Sequence, residues 1–300
     1  MVKVSICIPT YNNVIEVERL LTSIFSQTYT DYEVIISDDS TNDKIKKLLE
    51  TKYFRDIRYY HNDQPLGHIY NWNKAISYAS GEYVKIMFSD DWFTEEQSLA
   101  TLVGLLDDNP QVSMVFSGSM QVSSKEEYAR AASEDYINKL CEDYRYLFIS
   151  NQIGAPSDII YRRDLNVCFD EKSNWASDVF LYFEILKRNE QFAWTDKPLI
   201  SIGIHDQQYT ESFSKKDQRV FEDYRYMYMK YNLKENAECR EYFLQTYLLP
   251  YHKGISVAKK CGYGGMEYSK CYFPFLWKDI VCSYSKAAFR KIKRILGKHE

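Results

Sequence analysis

The sequence predicts an α/β fold: a mostly parallel sheet with helices on both faces, followed by a helical C-terminal appendage. Three observations carry this. From residue 3 to about residue 118, short apolar runs alternate with segments whose apolar residues recur at helical spacing. The runs close on clusters of polar turn and capping residues, where sheets of this kind bind their ligands. From about residue 215 the chain is tyrosine-rich and helical in pattern, with no sharp linker before it.

The elements follow in order. Val4 to Pro9 is an apolar run closing on Thr10-Tyr11-Asn12, and Val14, Val17, Leu20, Leu21, Ile24 and Phe25 then mark a helix. Tyr32 to Ser37 is a second strand, and Asp38 to Asp43 supply turn and capping residues before the helical Ile45, Leu48 and Leu49. Ile57 to Tyr60 is a short third strand; Gly67 punctuates the loop, and Ile69, Trp72, Ile76 and Ala79 form a helix that stops at Gly81. Glu82 to Phe88 is the fourth strand. Beyond Gln121 the rhythm fades into a polar stretch through Glu134 and a helical segment from Tyr136 to Phe148. Gly154 and Pro156 make a turn before the strand-like Ser157 to Tyr161, a helix carries Val179, Phe183 and Leu186, and Pro198 to Ile204 is a strand ending at His205.

Composition narrows the function classes. A formal net charge of −4 gives no general attraction to a phosphate backbone, so nucleic acid is not the expected partner. The 7 cysteines are scattered, without a Cys-x-x-Cys pair, and imply neither a disulfide framework nor a zinc site. The start, MVKVSICIPT, begins on a strand pattern without a signal sequence, and no apolar run is long enough to span a bilayer, so the expected address is the reducing cytoplasm. The 27 tyrosines read as compositional bias and surface stacking area. Residues 285–300 hold Lys286, Arg290, Lys291, Lys293, Arg294 and Lys298, with Phe289, Ile292 and Leu296 at helical spacing. Such a helix either lies on anionic lipid, at the inner face of the plasma membrane, or packs on its own domain.

The chemistry is concentrated in two acidic turns, ISDDS at Ile36 to Ser40 and SDDW at Ser89 to Trp92. Mg²⁺ and Mn²⁺ take carboxylate oxygens, and Mg²⁺ sites commonly combine one or two carboxylates with substrate phosphates, so Asp90 and Asp91 suit a nucleotide site with a divalent metal. The same turns are compatible with plain helix capping. No glycine-rich phosphate loop follows the first strand, which disfavours dinucleotide enzymes and P-loop NTPases.

Taken together, VSICIPTYNN, IISDDSTND, GHIYNWNKAISYASGEYVKIMFSDDW and WASDV at 175–179 resemble the family 2 glycosyltransferases, inverting enzymes of the Rossmann-like GT-A fold. The resemblance spans roughly the first two-thirds of the chain and implies a catalytic domain over 1–214. Within it, 1–118 would bind nucleotide and 119–214 acceptor, with 215–300 a helical region. It also implies that Pro9, Thr10, Tyr11 and Asp39 contact the base and ribose of a nucleotide-sugar, with Asn73 nearby. Asp91 would ligate the metal and Asp90 would bind sugar or a metal-bound water, although Ser89 replaces the first carboxylate of the family's Asp-x-Asp signature. Asp178 would be the general base, and His205 would approach metal or diphosphate. The implied reaction moves a sugar, from a UDP-sugar as first choice, to a hydroxyl of a glycan or lipid-linked acceptor in bacterial polysaccharide assembly. A nucleotidyltransferase and a non-catalytic sugar- or nucleotide-binding module are the competing readings.

Overall fold

The computed structural model describes residues 2–52, 57–205 and 217–278. The expected basic helix at 285–300 therefore lies outside the described residues. The chain divides into two compact units, 1–214 and 215–300.

In the first unit the order is β1 (Val4–Thr10), α1 (Val14–Phe25), β2 (Tyr32–Asp38), α2 (Lys44–Lys52), β3 (Ile57–His61), α3 (His68–Ser77), β4 (Tyr83–Ile86), β5 (Trp92–Phe93), α4 (Ser98–Asp108), β6 (Met114–Val122), β7 (Glu127–Arg130), α5 (Glu134–Glu142), β8 (Ile159–Arg162), α6 (Ser177–Arg188) and β9 (Phe192–Gly203). The sheet runs β3-β2-β1-β4-β8-β6-β9-β5, with β7 paired to β6. The β3-β2-β1-β4 half is all parallel, whereas β8 is antiparallel to both β4 and β6. β1 is buried along its whole length because helices cover both faces, which is why it reads as an unbroken apolar run. Val17, Leu20, Leu21 and Ile24 of α1 and Leu99, Leu102, Val103 and Leu106 of α4 pack against its Val4, Ile6 and Ile8 side of the core.

Three local expectations are corrected. Gly81 does not stop α3, which closes on Tyr78 in ordinary right-handed geometry; a Cβ at Gly81 would lie 2.7 Å from the Ser5 backbone N, so this glycine permits close approach of two backbones. The polar stretch after Gln121 contains β7, paired to β6 from Val122↔Glu127 to Ser119↔Arg130; its mostly exposed side chains conceal the strand period. The segment from Tyr136 to Phe148 is interrupted: α5 ends at Glu142, and Asp143 caps a separate 3₁₀ turn, Tyr144–Phe148, by accepting from Arg145 N at 2.9 Å.

The second unit contains α7 (Gln218–Lys230), α8 (Ala237–Phe243) continued by a π turn over Leu244–Leu248, α9 (Ile255–Lys260), and a further helical stretch over 265–278. Several of its tyrosines are core rather than surface: Tyr228 and Tyr268 are fully buried, Tyr228 stacks on Phe243 and Tyr224 on Tyr247, each pair at 4.3 Å between centroids.

Candidate active site

The parallel register places Thr10 opposite Asp38 at adjacent strand ends. Asp38 is buried and spends its carboxylate on structure. Thr10 Oγ1 and Ser40 N donate to its Oδ1, both at 3.0 Å, and Tyr59 OH donates to Oδ2 at 2.7 Å. Asp39 faces the next loop. Asn62 Nδ2 and Leu66 N donate to its Oδ1 at 2.9 and 2.8 Å, and Gly67 N donates to Oδ2 at 2.9 Å. Gly67 sits at φ +88°, a conformation that favours glycine, so the residue entering α3 is fixed by Asp39.

Side-chain hydrogen bonds then join the three strand-end clusters. Asn12, at φ +57°, donates its backbone N–H to Ser40 Oγ at 2.8 Å, and Asn13 Nδ2 donates to Ser89 Oγ. Tyr11, between them and the strand, is left 55% exposed and free to lie against a ligand, while Pro9 is buried in β1. A cavity of about 670 Å³ lined by Ser40, Asp43, Lys46, Tyr59, His61 and Pro65 flanks this crevice but does not include Thr10, Tyr11, Asp39 or Asp91.

Asn73 is not at the crevice. Its Nδ2 donates to Phe169 O at 2.9 Å and its Oδ1 accepts from Phe169 N at 2.8 Å, which ties α3 to the segment before α6. The amide that reaches the strand ends is Asn71, buried, donating to Thr10 O and Ser37 O at 3.2 and 3.0 Å and accepting from Ser37 Oγ at 2.8 Å. The sequence held a signal for it: Asn71 and Ala75 are four residues apart and therefore share the inner face of the helix.

At the third cluster, Asp90 Oδ2 lies 3.2 Å from His205 Nε2, and Arg19 of α1 donates to the Asp90 backbone O at 2.6 Å while stacking on Trp92 at 3.7 Å. Asp91 lies behind them, 3% exposed, its Oδ1 accepting from Gly203 N at 3.3 Å. Burial, then the neighbouring Asp90 charge, hold the Asp91 carboxyl well above the usual range. Strand β9 makes this arrangement: Trp92 pairs with Ser201 and Phe93 with Ile200, which brings Gly203 and His205 against the acidic turn. Among the described residues no group of three His, Cys, Asp or Glu side chains forms a metal cage. Two adjacent carboxylates and an imidazole are nevertheless donors that suit Mn²⁺ or Mg²⁺ completed by phosphate oxygens. A cation there would also offset the repulsion between the Asp90 and Asp91 charges.

A buried ionic layer lies beneath. Lys85, in the middle of β4, donates to Ser157 O and, at 3.2 Å, to Ile159 O, within the field of Asp158 and Asp91. Burial pushes Lys85 down and Asp158 up, each restrained by the other's charge. Gly154 is required here, since a Cβ at its φ of +111° would run into the Asp158 carboxylate and lie 3.0 Å from Arg130 Nη1. A lysine inside the apolar run Tyr83–Met87 was the sequence signal for this layer.

Asp178 stands in the first turn of α6 and is partly exposed. Burial raises its carboxyl to about 6, while the backbone N–H groups of Val179 and Asp178 and the Asn151 amide, 2.8 Å from Oδ2, hold it down. The Arg130 charge acts on both Asp178 and Asp158. A carboxylate with that proton affinity is suited to accept a proton near neutral pH.

The family model for glycosyl transferase family 2 matches residues 5–169, more than half of the chain. The chain belongs to glycosyl transferase family 2. At 28% identity over 196 residues it covers 59% of an uncharacterized protein, MT1568, of Mycobacterium tuberculosis. At 34% identity over 97 residues it covers 30% of the GalNAc(5)-diNAcBac-PP-undecaprenol beta-1,3-glucosyltransferase of Campylobacter jejuni. It thus spans less than two-thirds of the length of these two relatives. A longer match, 25% identical over 248 residues, covers 82% of the chain and 92% of UDP-Glc:alpha-D-GlcNAc-diphosphoundecaprenol beta-1,3-glucosyltransferase WfgD of Escherichia coli. Among solved structures, S. aureus TarS 1–349 in complex with UDP-GlcNAc superposes with a TM-score of 0.62 at 17% identity, covering 83% of this chain and 71% of that one. The mannosyltransferase PcManGT of Pyrobaculum calidifontis, in complex with GDP-Man and Mn²⁺, gives 0.58 at 16% identity over 96% of this chain and 81% of that one. The fold is GT-A. The structural residues that sequence reasoning missed in this glycosyltransferase domain are Arg19 and Asn71, which bond to the strand-end clusters, Lys85, which lies in the field of Asp91, and Arg130, which donates to Asn151 O at 3.2 Å beside Gly154.

Proposed function

We propose that the protein is an inverting, metal-assisted glycosyltransferase that moves a sugar from a nucleotide-sugar, UDP-linked as first choice, to a hydroxyl of a lipid-linked or glycan acceptor in polysaccharide assembly. The observation that carries it is the convergence of three strand-end clusters, Thr10–Asn13, Asp38–Thr41 and Ser89–Asp91, with His205 brought to the last. Relatives supply the acceptor class, since two are named for undecaprenyl diphosphate-linked substrates, and WfgD is named for a UDP-sugar.

The residues divide the work. Thr10, Tyr11 and the turn fixed by Asp39 form the base and ribose side. Asp91, Asp90 and His205 would hold a divalent cation, which when bound neutralises charge on the departing diphosphate. Asp178 accepts the proton of the acceptor hydroxyl as its oxygen bonds to the anomeric carbon; the bond from that carbon to the diphosphate oxygen breaks, and the nucleoside diphosphate leaves. Attack from the side opposite the leaving group inverts the centre. The domain division follows the same reading, with 1–118 as donor half, 119–214 as acceptor half and 215–300 outside the chemistry.

The test is calorimetric binding of UDP, GDP, dTDP and CDP with and without Mn²⁺, followed by sugar transfer to an undecaprenyl diphosphate-linked acceptor. Metal-dependent binding of one nucleotide that is lost in Asp91→Ala is expected. No binding of any nucleotide in either condition would favour the non-catalytic module.

A further inference from the structure

The helical stretch 265–278 presents a stripe that the other described residues of its unit leave largely exposed. Met266, Lys270, Phe273 and Trp277 are spaced four, seven and eleven residues from the first and so lie along one face. Met266 is 77%, Phe273 60% and Trp277 71% exposed, whereas Tyr268, on the other side, is fully buried and donates its hydroxyl to Lys253 O. Large apolar side chains gathered in this way mark an interaction surface rather than ordinary scatter.

Charge identifies the partner. From 259 to 278 the chain carries Lys259, Lys260, Lys270 and Lys278 against one carboxylate, Glu267, which Arg240 already holds at 2.7 Å. α9 belongs to the same surface region: a Cβ at Gly265 would lie 2.8 Å from Lys259 Cε and 3.7 Å from Ile255 Cγ2, and Ile255 is itself 38% exposed. We infer that this face docks on the surface of an anionic phospholipid bilayer, with Phe273 and Trp277 entering the headgroup–acyl boundary and the lysines meeting lipid phosphate. Trp at the interface and lysine beside it are the side chains such a surface selects. A second copy of the chain fits less well. The three apolar side chains offer roughly 400 Å², about half of the ~800 Å² per partner of a stable interface, and a two-fold contact would set the same lysines against each other. The composition of 285–300 has the same sign, but the inference rests on the described helix.

Full-length protein is sedimented with vesicles of phosphatidylcholine alone and of phosphatidylcholine with phosphatidylglycerol. Preferential binding to the mixed vesicles is expected, weakened about tenfold in the double variant Phe273→Ser, Trp277→Ser and severalfold in Lys270→Gln, Lys278→Gln. All four positions are solvent-facing, so melting curves should match the parent. Quenching by brominated lipid should be present in the parent and reduced in Trp277→Phe, which keeps a ring at the position. No vesicle binding by the parent would overturn the inference. So would parent-like binding by the aromatic double variant, which would place the contact elsewhere in the chain. A dimer in ultracentrifugation that Trp277→Ser dissociates would assign the face to a second copy.

Discussion

Asp178→Asn separates the two burdens that the candidate base carries. Burial lifts its carboxyl from 3.8 to about 6, so holding the charge in the folded protein is unfavourable at neutral pH. At 1.36 kcal/mol per pH unit that difference corresponds to about 3 kcal/mol, and partial solvent access reduces it to about 1–2 kcal/mol. The folded state binds the extra proton between pH 3.8 and about 6, so this contribution is fully present below that window and is lost as pH rises through it. Asparagine removes the loss. The variant should therefore melt about 2–6 °C higher than the parent at pH 7 and show no such advantage at pH 3.5. Transfer should fall by about 10²–10⁴, with nucleotide binding unchanged, and parent activity should rise with pH through about 6. Differential scanning calorimetry at the two pH values, with transfer assayed in parallel, checks both halves. A variant that transfers sugar within tenfold of the parent, or that is destabilised at pH 7, would refute the reasoning.

Three further outcomes follow from the geometry. Gly203→Ala brings a Cβ to 2.6 Å from Asp90 O, so the acidic turn must shift; stability should drop by about 1–3 kcal/mol, and metal-dependent nucleotide binding, read by calorimetry, should weaken. Asn73→Ala loses its two bonds to the Phe169 backbone and should cost about 1–3 kcal/mol in denaturant unfolding while leaving nucleotide affinity unaltered. Lys85→Met leaves Asp158 buried without its cation and should cost about 3–5 kcal/mol; adding Asp158→Asn should restore much of it in a double-mutant cycle.

β1, β2 and β4 of the parallel half were legible because burial on both faces writes them as apolar runs, and the turns because Asp38-Asp39-Ser40 and Ser89-Asp90-Asp91 must cap and turn whatever else they do. β7 and the first half of β9 were not, since mostly exposed strands such as Phe192–Lys197 alternate poorly and lean on β6 through a bulge at Ser117–Gly118. Asp39 and Asp91 were readable as site candidates from their position at strand ends. That Asn71 rather than Asn73 reaches the strand ends was not, because two amides two residues apart on a helix differ only in which face meets the sheet. Arg130 was hidden for another reason: it lies in a polar stretch where one more arginine carries no pattern, and only the folding of Gly154 beside it gives it meaning.

The pairing of β9 with β5 makes strand length a ruler. Ser201 opposite Trp92 fixes how far the chain must run before Gly203 meets the Asp90 carbonyl and His205 the Asp90 carboxylate. Adding or removing a single residue between 200 and 203 would turn a branched side chain into the space that only hydrogen fills, and would carry the imidazole to the opposite face. Sequence change in this molecule is thus tolerable by substitution along much of β9 but not by change of length near its end.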